Sequence, residues 1–412
     1  MSKIRIKNFG PIKEGYQEND GWMDVKKVTL FIGNQGSGKS TVAKVISTLT
    51  WLEKAINRGD VESEKISHDD FFHFFEYQRV KNYFNTDTEI EYIGDKISLK
   101  YSKGLDSPEI TKIENKEYAV PKIMYVPSER NFLSVVKKAY GIKNLPDTLY
   151  TFAEELRKGQ LELNDDLVRL PIGELNFKYN KDNDSSTLIG SDYEVNLLES
   201  SSGYQSLVPL YLVTKFLTDD LQKESKISRD QLDVYQSVRR KEEIAALILN
   251  GTVSENDIKA IVGEVSARYI NTCFINIVEE PEQNLFPNSQ WEILKILLEY
   301  NNLKKENKLI LTTHSPYIIN FLSIAIQGDY LKHKILLSND PSELLNKLIQ
   351  VVPENSLISS NDTIVYQLDE TNGSIKKLSS SEGIPSDKNY LNNMLREGNR
   401  LFDSLLEIEE QL

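Results

Sequence analysis

Apolar positions along the chain fall into runs of distinct kinds, and each kind predicts a different element. Residues 28–32, 273–278 and 309–313 are short, nearly continuous apolar stretches, the length and texture of buried strands. Alternation marks a second kind. The opening MSKIRIKNFGPIKEG alternates apolar and charged residues, as do 89–93 and 97–101, and each reads as a strand with one buried face. Residues 123–126 close that group, and 175–179 and 193–198 add two strand-like runs separated by a polar turn at 181–186. Helical texture appears at 41–52, in an aromatic and acidic stretch at 68–84, at 148–158 and at 288–300. Residues 203–221 carry a helical stripe of Leu207, Leu210, Tyr211, Val213 and Leu217, and 221–270 reads as inserted helices. Near the C-terminus, strand-like runs at 363–368 and 374–378 flank Asn372-Gly373, a hairpin signal.

Composition narrows this picture. With 412 residues, 39% of them hydrophobic, the chain can bury a substantial core and has room for about two or three domains. Its longest apolar runs fall far short of the roughly 20 residues that a bilayer span needs, and the N-terminus lacks the apolar centre of a secretory signal. A lone cysteine, Cys273, and four histidines supply neither a disulfide framework nor a closed zinc site, which suits a reducing cytoplasm. A net charge of −13 argues against coating DNA through a general field. Any nucleic-acid contact needs a local patch, and the candidates, Lys3/Arg5/Lys7, Lys137/Lys138 and Arg239/Arg240/Lys241, are short and flanked by acids. The 221–270 insertion holds eight basic and eight acidic residues, so it suits a protein partner better than phosphates.

Chemistry concentrates in four segments. GNQGSGKS, made of Gly33, Asn34, Gln35, Gly36, Ser37, Gly38, Lys39 and Ser40 and followed by Thr41, stands between a buried strand and a helix. That setting is a phosphate-binding loop: glycines let backbone N–H groups turn inward and the helix N-terminus favours anions. Lys39 would reach the β- and γ-phosphates and Ser40 would ligate Mg2+. The buried run ending at Val278 is followed by Glu279 and Glu280, placed at a sheet end where α/β proteins bind ligands. Glu279 could hold Mg2+ directly or through water, and Glu280 could orient and deprotonate an attacking water. ESSSGYQS at 199–206 opens a helix with Ser202 and Gly203, a γ-phosphate contact or, more simply, an N-cap. His314, in TTHSP after another strand, can share the sheet edge of Glu280, whereas His68 and His73 lie five apart and read as packing or surface residues.

Taken in order, GNQGSGKS, SSSGYQS, FINIVEEPEQNLFP and TTHSP resemble the motifs of ABC-type ATPases of the SMC/RecF class, over residues 1 to about 320. IKNFGPIK at 6–13 looks like that class's first strand, while EEPEQNLFP and YVPSERN resemble a compact bacterial group that includes overcoming-lysogenisation ATPases and Septu-type anti-phage subunits. The resemblance implies an α/β P-loop NTPase head of ABC type, with a mixed sheet flanked by helices, an antiparallel β lobe and a helical lobe with a signature motif. Its parts would be 1–200 (Walker A and β lobe), 201–272 (signature helix and insertion), 273–330 (Walker B and switch histidine) and 331–412 (an extension with hairpin and helix). It further implies ATP and Mg2+ as ligands, Lys39 and Ser40 as Walker A residues, and Ser202, Gly203 and Gln205 as signature residues. Glu279 would be the metal ligand, Glu280 the catalytic acid and His314 the switch. The implied assembly is a homodimer or larger oligomer closed head to tail around ATP.

The chain departs from the pattern in three places. Glu279 replaces an aspartate, Tyr204 stands where a second glycine is frequent, and no Q-loop glutamine is evident, with Glu129 and Arg130 the weak candidates. No long heptad array separates the lobes. Three roles follow from the resemblance: a cytoplasmic defence ATPase regulating a separate nuclease, a RecF-like repair ATPase acting on DNA ends or gaps, and a scaffold that holds ATP without hydrolysing it.

Overall fold

In the computed structural model, residues 2–114, 118–137, 141–142, 144–224, 241–246, 268–338 and 340–410 are described. In chain order the strands of the first half are β1 (Ser2–Lys7), β2 (Gly15–Tyr16), β3 (Met23–Val25), β4 (Val28–Gly33), β5 (Glu89–Ile93), β6 (Ile97–Tyr101), β7 (Glu109–Lys112) and β8 (Pro121–Val126). They continue with β9 (Val168–Arg169), β10 (Asn176–Asn180), β11 (Ser185–Ile189), β12 (Glu194–Asn196), β13 (Cys273–Glu279), β14 (Lys308–Thr313), β15 (Thr363–Leu368) and β16 (Ser374–Lys377). The helices that matter here are α1 (Lys39–Arg58), α2 (His68–Phe74), α3 (Asp147–Glu162), α4 (Ser202–Glu224), α5 (Pro287–Asn302), α6 (Pro316–Leu336), α7 (Pro341–Val351) and α8 (Tyr390–Glu409).

The continuous apolar runs become the middle of a seven-stranded sheet of order β2-β16-β15-β4-β14-β13-β8, in which β15, β4, β14, β13 and β8 are mutually parallel. A parallel sheet is covered on both faces, which is why these strands show no polar alternation. Their side chains still alternate, and the alternation divides them between two cores. Val28, Leu30, Ile32, Phe274, Val278, Leu309 and Leu311 pack with α3, α4, α5 and α6. Phe31, Ile275, Ile277, Ile310 and Tyr366 point the other way, onto α1 and onto Ile4, Ile6, Ile90, Tyr92 and Leu99 of a five-stranded antiparallel sheet, β3-β1-β5-β6-β7. A second antiparallel sheet, β12-β11-β10-β9, packs with the α3/α4 side through Phe177 and Leu188. The α/β P-loop head, with its mixed sheet, antiparallel lobe and helical lobe, is the architecture observed. Among the described residues no helix is long and apolar enough to cross a membrane.

Two local expectations are corrected. The helical stretch at 68–84 ends at Phe74: the chain then turns through Arg79 at φ +58, so that Phe71, Phe75 and Phe84 converge with Phe9 in edge-on ring contacts at 4.9–5.9 Å. Aromatic clustering outweighs the continuation of a helix there. The polar turn at 181–186 joins β10 not to the 193–198 run but to β11, a strand whose sequence SSTLI offers only Leu188 to the core, opposite Phe177. β12 then pairs with β11. α6 and α7 fall where the apolar pattern predicts no element. Most of the 221–270 insertion lies outside the described residues, as do Lys138, Arg239 and Arg240 of the basic clusters. In the remaining cluster Lys3 pairs with Asp24 at 3.6 Å and Arg5 pairs with Glu91.

Candidate active site

Register places the candidate residues in one row. At the C-terminal edge of the sheet Glu279 lies beside Thr312, Thr313 beside Ile32, and Gly33 beside Leu368. The phosphate loop therefore leaves β4, the histidine segment leaves the adjacent β14, and the two acids leave β13, one strand further on. Only parallel strands deliver three successive C-terminal ends to the same edge.

The loop is shaped by backbone as much as by side chains. Gly33 sits at φ +149, and a Cβ there would stand 2.5 Å from the Leu368 carbonyl oxygen of the neighbouring strand. Asn34, Gln35 and Gly36 are exposed, Ser37, Gly38 and Lys39 are buried, and α1 runs for 20 residues from Lys39, taking in Ser40 and Thr41. The Lys39 ammonium donates to the carbonyls of Gly33 (2.9 Å) and Asn34 (2.8 Å), and lies 3.4 Å from His314 Nδ1. Burial brings the Lys39 pKa down to about 8, against the pull of Glu280, Glu282, Glu370 and Glu279. Asn34 spans the loop, donating to Glu370 and accepting from the Gln35 N–H.

The acid pair is held from behind. Glu279 is buried: its Oε1 accepts from the Tyr125 hydroxyl at 2.5 Å and its Oε2 from the Ser128 N–H at 3.2 Å. Glu280 is half-exposed at φ +44, a left-handed conformation uncommon for a residue with a side chain, and its N–H donates to the Thr312 carbonyl at 2.9 Å. Its carboxyl lies 3.6 Å from His314 Nε2. Burial, then Glu279, push the Glu280 pKa above the usual carboxylate value, although Arg130 and Lys39 oppose the shift. Burial and Lys39 push His314 below the ordinary imidazole value.

The sequence offers Arg130 only as a weak Q-loop candidate. The structure instead buries it completely and directs its guanidinium at carbonyls: Glu279 O (2.7 Å), Glu280 O (2.6 Å), Pro127 O (3.2 Å) and, on α4, Ser206 O (3.2 Å). The planar fork thus locks the ends of β8 and β13 to α4. Glu129 is exposed beside Ser128. Glu282 performs the matching task on β14, its Oε1 accepting from Thr313 Oγ1 (2.7 Å) and from the His314 N–H (2.8 Å). The clue in the sequence was YVPSER continuing a buried strand. Nothing in the local pattern reveals that its arginine turns inward.

Ser202 and Gly203 open α4, Ser202 exposed and Gly203 half-buried. An added Cβ on Gly203 would be 3.0 Å from the Asn284 carbonyl, and the Asn284 amide donates to Ser206 Oγ at 3.0 Å, so α4 begins against the loop that follows the acids. Gln205 is engaged elsewhere: its amide is buried and donates to the carbonyls of Leu197 (3.3 Å) and Leu198 (3.0 Å), tying α4 to the preceding turn. The structure therefore brings Gly33 to Thr41, Glu279, Glu280 and His314 to one edge, and sets Ser202 and Gly203 on a helix clamped to that edge.

Residues 266–319, from the approach to β13 through the TTHSP segment, match the AAA ATPase domain. Among solved structures the chain is similar to the SMC head domain from Thermotoga maritima, at 10% identity over 92% of this chain and 98% of that one, with a TM-score of 0.37. A second likeness is the Smc head with an extended coiled coil bound to the C-terminal domain of ScpA, from Pyrococcus furiosus: 9% identity, 98% and 100% covered, TM-score 0.38. A third is an ATP-binding cassette dimer in a post-hydrolysis state with ADP and Pi, at 12% identity, 92% and 100% covered and a TM-score of 0.27. No curated protein matches the chain.

Proposed function

We propose that the chain is a Mg2+-dependent ATPase whose two copies close head to tail around ATP, and that this closure regulates a separate effector nuclease in anti-phage defence. One observation carries the chemical part: a glycine loop with a lysine, two acids and a histidine of lowered pKa share one sheet edge. In this reading residues 1–200, 201–272 and 273–330 make up the head and 331–412 extend it.

The residues fit the ligands assigned to them. The loop offers backbone N–H groups at the start of a long helix, and the Ser37 hydroxyl is buried there without a partner. Mg2+ is usually held by one or two protein groups plus phosphate oxygens and water, which matches Ser40 and Glu279. Bound metal would neutralise charge on the phosphates. Lys39, freed from its two carbonyls, would do the same as a point charge. Glu280 acts as the general base, since a carboxylate of raised pKa takes a proton from water more readily. His314, neutral near pH 7, lies between Lys39 and Glu280 and reports the state of one to the other. Ser202 and Gly203 of one copy would cover the triphosphate held by the second. Because ATP binds the closed pair better than the open one, it shifts that equilibrium, and hydrolysis reverses it.

The effector part is supported by the likeness of EEPEQNLFP and YVPSERN to the compact bacterial group. Purifying the chain together with the products of its neighbouring genes tests it. A nuclease retained in a nucleotide-dependent manner is the expected result. Isolation of the chain by itself, with ATPase activity stimulated by DNA ends, would move the assignment to the repair reading.

A further inference from the structure

Glutamate is a looser metal ligand than aspartate, because its extra methylene adds a torsion that binding must freeze. This chain carries Glu279 where the resembled pattern has an aspartate, and the structure supplies what would freeze it. β8 and β13 pair in parallel with Tyr125 beside Ile277, so the tyrosine stands two residues short of Glu279 along the sheet. Tyr125 and Ile277 belong to the core on the α1 side, and by the two-residue period of a strand Glu279 leaves β13 toward that same side. It is the side on which α1 begins, at Lys39 and Ser40. Tyr125 is buried, and its hydroxyl reaches along the sheet to donate to Glu279 Oε1 at 2.5 Å, while the Ser128 N–H holds Oε2 at 3.2 Å. Arg130 grips the carbonyl of the same residue at 2.7 Å. The backbone and both carboxyl oxygens of Glu279 are thus tied to the segment 125–130.

We infer that Tyr125 is a positioning residue for the metal site: its hydroxyl holds the Glu279 carboxylate so that a glutamate can do the work of an aspartate. Two features single out the tyrosine. A carboxylate has about four lone-pair sites, and the bonds from Tyr125 and Ser128 use one on each oxygen. Each oxygen therefore keeps a site for Mg2+ or for a water on Mg2+. Groups that hydrogen-bond a ligating carboxylate in this way orient it, and losing one costs about 10- to 100-fold in metal affinity. The second feature is the hydroxyl itself. Packing in this core would be served as well by phenylalanine, whereas the phenol ends on Glu279 Oε1. With phenylalanine at 125, the carboxyl would keep the Ser128 N–H as its tether through the other oxygen and could swing about it.

The assignment rests on the Mg·ATP reading of the site, and the experiment separates the two. Affinity of the full chain for the imido analogue of ATP, which is not hydrolysed, is measured by calorimetry with Mg2+ and again with EDTA. The ratio of the two affinities is the readout and needs no turnover. Tyr125→Phe should leave the affinity in EDTA within about twofold and cut the Mg2+ enhancement about 10- to 100-fold. Glu279→Asp, a methylene too short to keep the Tyr125 bond from the same backbone, should cut it to a similar extent, and it decides the matter if Tyr125→Phe does not fold. Adding Tyr125→Phe to Glu279→Asp should then change little, within about twofold, because a contact that acts through Glu279 cannot be lost twice. An enhancement that survives Tyr125→Phe, a Glu279→Asp protein that matches the wild type, or losses that add in the double variant would each overturn the role of Tyr125, as would a wild type that binds the analogue and is indifferent to Mg2+. A wild type that binds the analogue in neither condition is a distinct outcome: it removes the ATPase reading, and the inference with it.

Discussion

Lys39, Glu280 and Arg130 occupy neighbouring positions and act through different physics. Lys39→Ala should lower ATP affinity at least tenfold by calorimetry, because no other ammonium is positioned in the loop. Glu280→Gln should retain binding and lose on the order of 10²- to 10⁴-fold in phosphate release, the usual scale for a missing general base. Arg130 touches only carbonyl oxygens, so it is a positioning residue: Arg130→Lys keeps the charge but cannot make the forked contacts. That variant should lower kcat more than it raises KM and lower the thermal midpoint, whereas an unchanged kcat would remove Arg130 from the account. The pH profile has a sign as well. Lys39 is charged below about 8, so ATP affinity of the free protein should fall as pH rises through that value. The acid limb of kcat/KM should lie above the ordinary carboxylate range because burial raises Glu280. Lys39 and the two acids were legible in the sequence, since loop and strand end leave each residue one place to go. Arg130 and Gln205 were not, because their partners are backbone atoms brought in from distant elements.

Among elements, β4, β14 and β13 do the positioning, and their apolar runs announced them. The antiparallel strands at 89–93 and 97–101 were equally plain, since alternation with one wet face fixes both the strand and its buried side. β11 was hidden because SSTLI has one residue to bury, and the 75–84 turns were hidden because aromatic residues satisfy a ring cluster and a helix stripe alike. Gly33→Ala should abolish nucleotide binding and destabilise the β4–β15 junction, given the Leu368 carbonyl 2.5 Å from the added carbon; calorimetry and a melting curve check both. α1 carries a further test. Lys54 is partly buried, with its ammonium on Pro121 O and Asn271 Oδ1 at 2.7 Å, and desolvation lowers its pKa to about 7. The unfolded chain, with Lys54 near 10.5, then binds more protons than the native one between about 7 and 10.5, so this group makes stability rise with pH across that window. Lys54→Met should flatten that rise, measured as the denaturation midpoint against pH.

For the whole molecule, the central claim is that ATP is a joint between two copies. Within one copy, α4 is bound to the acids through Arg130–Ser206 and Asn284–Ser206, so a ligand that grips Ser202 and Gly203 from outside pulls on the frame that holds Glu280. On the proposed reading, closure and chemistry are coupled by contiguous hydrogen bonds rather than by distance alone. The sequence announced this pairing through the order of its motifs, but could not show which side chains connect them. The most direct measurement is the solution mass of the Glu280→Gln variant with and without Mg·ATP. A monomer that doubles in mass on adding Mg·ATP, and returns to monomer when Lys39→Ala is introduced, is the predicted result; a mass that does not change although calorimetry shows ATP bound would contradict the account.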